Sequence, residues 1–221
     1  MFAYFVLILL GAIWGASYLF IKVSVAEIPP FTLVAARTLI AAIALLVVMR
    51  VRREPFPRTR RVWLTLVAIG ILNGVIPYTA ITWGETHITS ALAAILTATN
   101  ALFTVILAHF WTHDERFTTP KVVGILVGFV GVVILFMPGL RQGIQMEFWG
   151  MFAVVIAAFS YAVATLIVRR YLQGISHVVA ATGQLGTAAL FMIPLSLTFD
   201  NPFALQPSLL AIGSLTILAL L

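Results

Sequence analysis

The sequence predicts an all-α polytopic membrane protein, and three observations carry that prediction. Of its 221 residues, 62% are apolar and only 9% are charged, whereas soluble domains hold about 25% charged residues. Long apolar runs recur seven times, each close to the roughly 20 residues needed to cross about 30 Å of hydrocarbon with every backbone amide paired internally. The chain also resembles itself when displaced by 147 residues.

Taken in order, the runs cover residues 2–24, 31–49, 62–84, 88–110, 120–138, 148–168 and 177–199. The first begins almost at Met1, has no small-residue cleavage site and is followed at once by another span, so it reads as a retained helix. The second places Arg37 seven residues past Pro30, about 10 Å of helical rise into the span. Gly74 and Pro77 interrupt the third. The fourth carries LTATNALFT, in which Ala93, Thr97, Asn100 and Thr104 share a face with those around them. An eighth run opens near Ser208 and reaches the last residue, Leu221. A free carboxylate partway through an apolar helix would be stranded in lipid. The run is therefore expected to be part of a longer protein, with a short re-entrant piece as the alternative.

The loop between the second and third spans holds Arg50, Arg52, Arg53, Arg58, Arg60 and Arg61 against Glu54. Such a loop is expected in the cytoplasm. Alternate loops then place Arg116, Lys121, Arg169 and Arg170 on the same side, ten of the 13 basic residues in all. This puts the amino terminus in the cytoplasm and the chain in the cell (plasma or inner) membrane as a multi-pass protein. Because the basic residues gather at helix ends, the net charge of +6 does not indicate nucleic acid. Without cysteine there is no disulfide or thiolate metal site, and no cofactor is expected. The motifs HExxH and GxSxG are absent, as are a nucleotide-binding glycine loop and a lysine in the seventh span. An enzyme is not expected. The rival reading is a seven-helix receptor or intramembrane enzyme complete as written.

The displacement by 147 aligns the first two spans with the sixth and seventh without a gap. Lys22 falls on Arg169, Arg37 on Gln184, Trp14 on Tyr161 and Ile28 on Ile175. Five spans per copy force the second copy to insert upside down. Residues 1–139 form the first repeat and 147–221 an incomplete second one, which implies a ten-helix, 5+5 inverted-repeat fold cut short after seven to eight helices. Inverted repeats are typical of secondary transporters, which bind substrate near the midplane between the two copies.

Three stretches carry a family resemblance. GAIWGASYLFIK (11–22), HITSALAAILTATNALFTVILA (87–108) with HDERFT (113–118), and GILVGFVGVVIL (124–135) resemble the first, fourth and fifth helices of EamA-type transporters of the drug/metabolite transporter superfamily. The resemblance implies ten helices, both termini cytoplasmic, and movement of small metabolites. Where that family commonly has a proline before Leu-Phe in the fourth helix, this chain has Ala101, which removes the usual cause of a kink. The family's Gly-Glu turn is Asp114-Glu115 here.

Polar side chains inside a bilayer face the bundle interior or a water-filled cavity. The candidate substrate-binding residues are Trp14, Tyr18, Arg37, Tyr78, Thr97, Asn100, Tyr161 and Gln184. For Thr97 and Asn100 the alternative is interhelical hydrogen bonding. For Arg37, whose guanidinium suits a substrate carboxylate, the alternatives are snorkelling or holding backbone carbonyls. Glu85 and His87, at the outer end of the third span, are expected in water. All seven acids fall in loops or at helix ends. That pattern points away from a cation exporter and toward a neutral, zwitterionic or anionic solute. The pairs Gly11/Gly15, Gly70/Gly74 and Gly124/Gly128 are expected to pack helices, the contact between two copies of a homodimer included.

Overall fold

A chain this apolar has one stable course in lipid, which is to close every backbone hydrogen bond within helices. The computed structural model describes residues 2–111, 117–141 and 145–221. Asp114, Glu115 and Arg116 therefore lie outside the described residues. Helices α1 (Phe2–Val25) and α2 (Pro30–Val51) are continuous. Helix α3 (Arg60–His87) and helix α4 (Ser90–Trp111) are each interrupted. Then follow α5 (Thr119–Arg141), α6 (Met146–Tyr171), α7 (His177–Phe199) and α8 (Leu209–Leu220). Seven of these are long and apolar enough to cross a membrane, and the described residues contain no strand. This is an all-α polytopic membrane protein, and each of the seven expected runs lies within or overlaps one helix.

Helix ends are satisfied by neighbours. Pro29 has no side-chain oxygen to cap α2, so the Asp200 carboxylate, from beyond α7, accepts hydrogen bonds from the Thr32 amide (2.7 Å) and hydroxyl (3.1 Å). At the start of α8, the Glu27 carboxylate accepts from the Ser208 amide (2.6 Å) and hydroxyl (2.8 Å). Helix α2 ends in a Schellman turn: Glu54 N–H donates to Met49 and Arg53 N–H to Arg50, with Arg53 left-handed at φ 55°. Asn201, just beyond α7, is also left-handed at φ 48°.

The contacts are organised around α2 and α7, the most extensive pair. Helix α3 packs on α6 and α7, while α8 packs on α1 and α2. Exchanging α1 with α6, α2 with α7 and α3 with α8 maps these contacts onto one another. In lipid, helices associate by close packing rather than by escape from water, so small residues mark the interfaces. A Cβ on Gly74 would lie 2.7 Å from that of Ala188, and one on Gly70 would lie 2.6 Å from that of Thr187. Near the other end of α3, Gly84 meets the Gly150 carbonyl of α6.

The expectation that all three glycine pairs pack helices needs correcting within the chain. Gly11, Gly15 and Gly124 face open space, whereas Gly128 packs as expected, against Leu102 of α4, 2.6 Å from where a Cβ would lie. The apolar side chains of α5 are largely exposed as well, Val127 and Leu126 among them.

Two predictions follow from these contacts. Gly74→Leu should overpack the α3–α7 interface and lower unfolding stability in detergent by about 1–3 kcal/mol, whereas Gly124→Ala should leave the melting temperature unchanged. The two hydrogen bonds from Ser208, the backbone one first, hold the Glu27 carboxyl below the usual carboxylate range. A depressed folded-state value means that the stabilisation is present above the ordinary glutamate value of about 4.3 and fades as pH falls through that region. Melting curves of the wild type and Glu27→Gln should therefore differ at neutral pH and converge in acid.

Candidate functional site

The two interrupted helices set the geometry. In α3, residues Ile71–Val75 wind as a π turn immediately before Pro77. Proline has no N–H, so in the wider register the Leu72 carbonyl loses its partner. The Ser160 hydroxyl of α6 replaces it, donating to Leu72 O at 2.6 Å. The break foreseen at Gly74 and Pro77 is thus a π turn closed by a neighbouring helix.

In α4, the helix ends at Thr97 and resumes at Asn100. Thr99 N–H turns to the Leu96 carbonyl in a tighter bond, and the Thr99 hydroxyl donates to the same carbonyl at 2.6 Å. A proline is therefore not required for the break. Ala98 and Thr99 produce it without one.

Near these interruptions, five of the eight candidates lie close together, each from a different helix. The Arg37 guanidinium of α2 lies over the Tyr78 ring of α3, 4.2 Å from its centroid. Tyr161 of α6 is within electrostatic range of Tyr78, Arg37 and Tyr18. The Tyr18 side chain of α1 lies beside that of Thr97 of α4. Thr97 donates its single hydroxyl hydrogen to the Ala93 carbonyl at 2.8 Å. No carboxylate pairs with Arg37 among the described residues.

The other three candidates stand apart. Asn100 is half-buried, and its Oδ1 accepts from Thr104 at 3.1 Å within its own helix. The Gln184 backbone carbonyl faces Gly70 at the α3–α7 approach. Trp14 is 65% exposed on the surface of α1.

Glu85 requires a correction. It was expected in water, but it is 0% exposed. Its Oε2 lies 3.0 Å from Ser90 Oγ, which is also 3.2 Å from the Tyr18 carbonyl. Its Oε1 has no partner. Lys22 of α1 covers this end of α3, donating to the Glu85 carbonyl and, at 2.8 Å, to the Ile88 carbonyl. His87 is half-buried against Trp83, with ring centroids 4.8 Å apart. A signal was present in the sequence: Glu85 lies seven residues past Tyr78, two turns along the same helical face. Ser160 and Thr99 carried no comparable signal, since hydroxyls are common in spans.

Comparison with known proteins gives consistent results. Residues 1–137 match the EamA-like transporter family. The chain is 28% identical over 209 residues to the uncharacterized inner membrane transporter YedA of Escherichia coli (strain K12), covering 93% of this chain and 66% of that protein. It is 22% identical over 188 residues to the uncharacterized transporter YoaV of Bacillus subtilis (strain 168), covering 85% and 64%. The chain thus spans about two thirds of the length of these relatives. A solved crystal structure aligns with a TM-score of 0.63 at 19% identity, over 95% of this chain and 73% of that one.

The π turn can be tested by a double-mutant cycle. Ser160→Ala should leave Leu72 O buried without a donor and cost about 1–3 kcal/mol. Adding Pro77→Ala restores a backbone N–H at that point, so the second change should recover part of the loss, read as non-additive melting temperatures.

Proposed function

Because the chain belongs to the EamA-like transporter family, we propose that this membrane transporter moves a small organic metabolite carrying a carboxylate, such as an amino acid or related compound, by alternating access. The observation that carries the reading is Arg37. A guanidinium inside a span, set against Tyr78 and with no carboxylate partner among the described residues, calls for an anion. An arriving carboxylate would take bidentate hydrogen bonds from it. Tyr78, Tyr161, Tyr18 and Thr97 add hydroxyls and aromatic faces from four further helices. Asn100, Gln184 and Trp14 are proposed to belong to the wider substrate path.

The exchange of contacts between α1–α3 and α6–α8 supports reading residues 1–139 and 147–221 as two inverted repeats, with solute passing between them. The clustering of arginines between α2 and α3 supports a cytoplasmic amino terminus, and the balance of the reading favours export. A homodimer through the exposed glycines of α1 and α5 belongs to the same proposal.

The test is a metabolite screen of the growth medium. Cells expressing the full-length gene are expected to release a carboxylate-bearing metabolite, and Arg37→Gln should reduce that release at least tenfold, equivalent to about 1.4 kcal/mol of lost recognition. Arg37→Lys should recover only part of it. Unchanged release from Arg37→Gln, with protein present in the membrane, removes the proposed site.

A further inference from the structure

We infer that Glu85 is a proton-binding site, with the proton held between Glu85 Oε2 and Ser90 Oγ, and that it is the coupling group of the transporter. Its coupling role rests on the transport reading above. The protonation itself rests on hydrogen counting.

Ser90 has one hydroxyl hydrogen and two acceptors within reach, Glu85 Oε2 at 3.0 Å and the Tyr18 carbonyl at 3.2 Å. One hydrogen cannot fully serve both. If Glu85 is a carboxylic acid, it donates from Oε2 to Ser90 Oγ, and Ser90 donates onward to Tyr18 O. Every hydrogen in the chain then has an acceptor. The remaining oxygen, Oε1, becomes the neutral carbonyl of the acid. Leaving that atom unpartnered in a fully buried position costs far less than leaving half of a carboxylate charge unpartnered.

The surroundings agree with this. From α1, Lys22 turns its ammonium to two backbone carbonyls and forms no ion pair with Glu85 among the described residues. Tyr18 offers its carbonyl from the same helix. From α2, Arg37 lies over the Tyr78 ring instead. From α4 comes Ser90, and His87 lies on α3 itself. From α6, Gly150 and Val154 pack against the adjoining Gly84, and neither is ionisable.

Thr82, one turn before Glu85, is also fully buried and has an unpartnered hydroxyl oxygen. Two bare oxygens do not make a sodium site, because an alkali ion needs several more ligands, and the nearby carbonyls are occupied by the Lys22 ammonium. A proton needs only the one oxygen.

Position also favours exchange with water. Glu85 is 25 residues past Arg60, about 38 Å of helix against about 30 Å of hydrocarbon, which places it at the far membrane face. Lys22 closes that face. Release of its carbonyls would let the ammonium approach the carboxylate as the proton leaves to water, so that the charge left on Glu85 is neutralised by Lys22. Tyr18 joins the two sites, its carbonyl at Ser90 and its side chain beside Thr97 and Arg37, so anion and proton would travel together.

Infrared difference spectroscopy of the full chain in lipid, in potassium buffer, reads this without any substrate. The expected result is a carboxylic-acid C=O band at neutral pH that is lost in Glu85→Gln and kept in Glu27→Gln. Ser90→Ala should keep the band but move it, because the acid loses its hydrogen-bond partner; melting curves identify a variant that has failed to fold. Absence of a Glu85-dependent band at neutral pH overturns the inference, as does loss of the band when sodium replaces potassium at constant pH. Because the band requires neither substrate nor transport, a negative result leaves the metabolite screen standing, and a failed screen leaves the band.

Discussion

No water reaches the interior of these spans, so each carbonyl or amide released from a helical ladder must find a partner from another part of the chain. The local features of the structure follow from this constraint. The π turn ahead of Pro77 is tolerable because Ser160 supplies a donor to Leu72. The tail of α3 is held by Lys22, and the head of α2 by Asp200. In each case the replacement comes from a different helix, so local irregularity and tertiary contact are one feature. Removing the irregularity would remove a link between helices.

The same reasoning separates packing from chemistry. Where α3 meets α7 and α6, glycines bring backbones together and leave room for only small side chains such as Thr187, Ala188 and Ser160. Near the breaks in α3 and α4, by contrast, Arg37, Tyr78, Tyr18 and Thr97 meet. Close contact at Gly70, Gly74 and Gly84 thus frames a polar cluster built from residues that could not lie in the tight interface.

The spans were legible in the sequence because hydrocarbon thickness sets their length and apolar composition sets their place. The interruption at Pro77 was legible too, since a missing N–H has only one consequence. The break at Ala98 and Thr99 was not: threonine hydroxyls bond to their own helix in many contexts, and only the observed tightening at Leu96 separates a break from a decoration. Arg37 and the three tyrosines stood out as bulky polar groups at depth, as did Trp14, which is exposed on the surface of α1. The burial of Glu85 escaped because a residue's place near a helix end does not reveal which neighbour covers it. Here the cover is Lys22, from a helix more than sixty residues away in sequence.

Arg53 and Asn201 occupy matching corners with the same left-handed backbone, yet they share neither size nor charge, and they lie 148 rather than 147 positions apart. The next helices begin at Arg60 and Leu209, one position further out of step. A single added residue turns the following helix by about 100° relative to a strict count, so letter-by-letter matching loses the correspondence where the handedness of the corner preserves it. If the halves descend from one ancestral gene, that descent would be readable in the turns of the chain long after it had faded from the residues themselves.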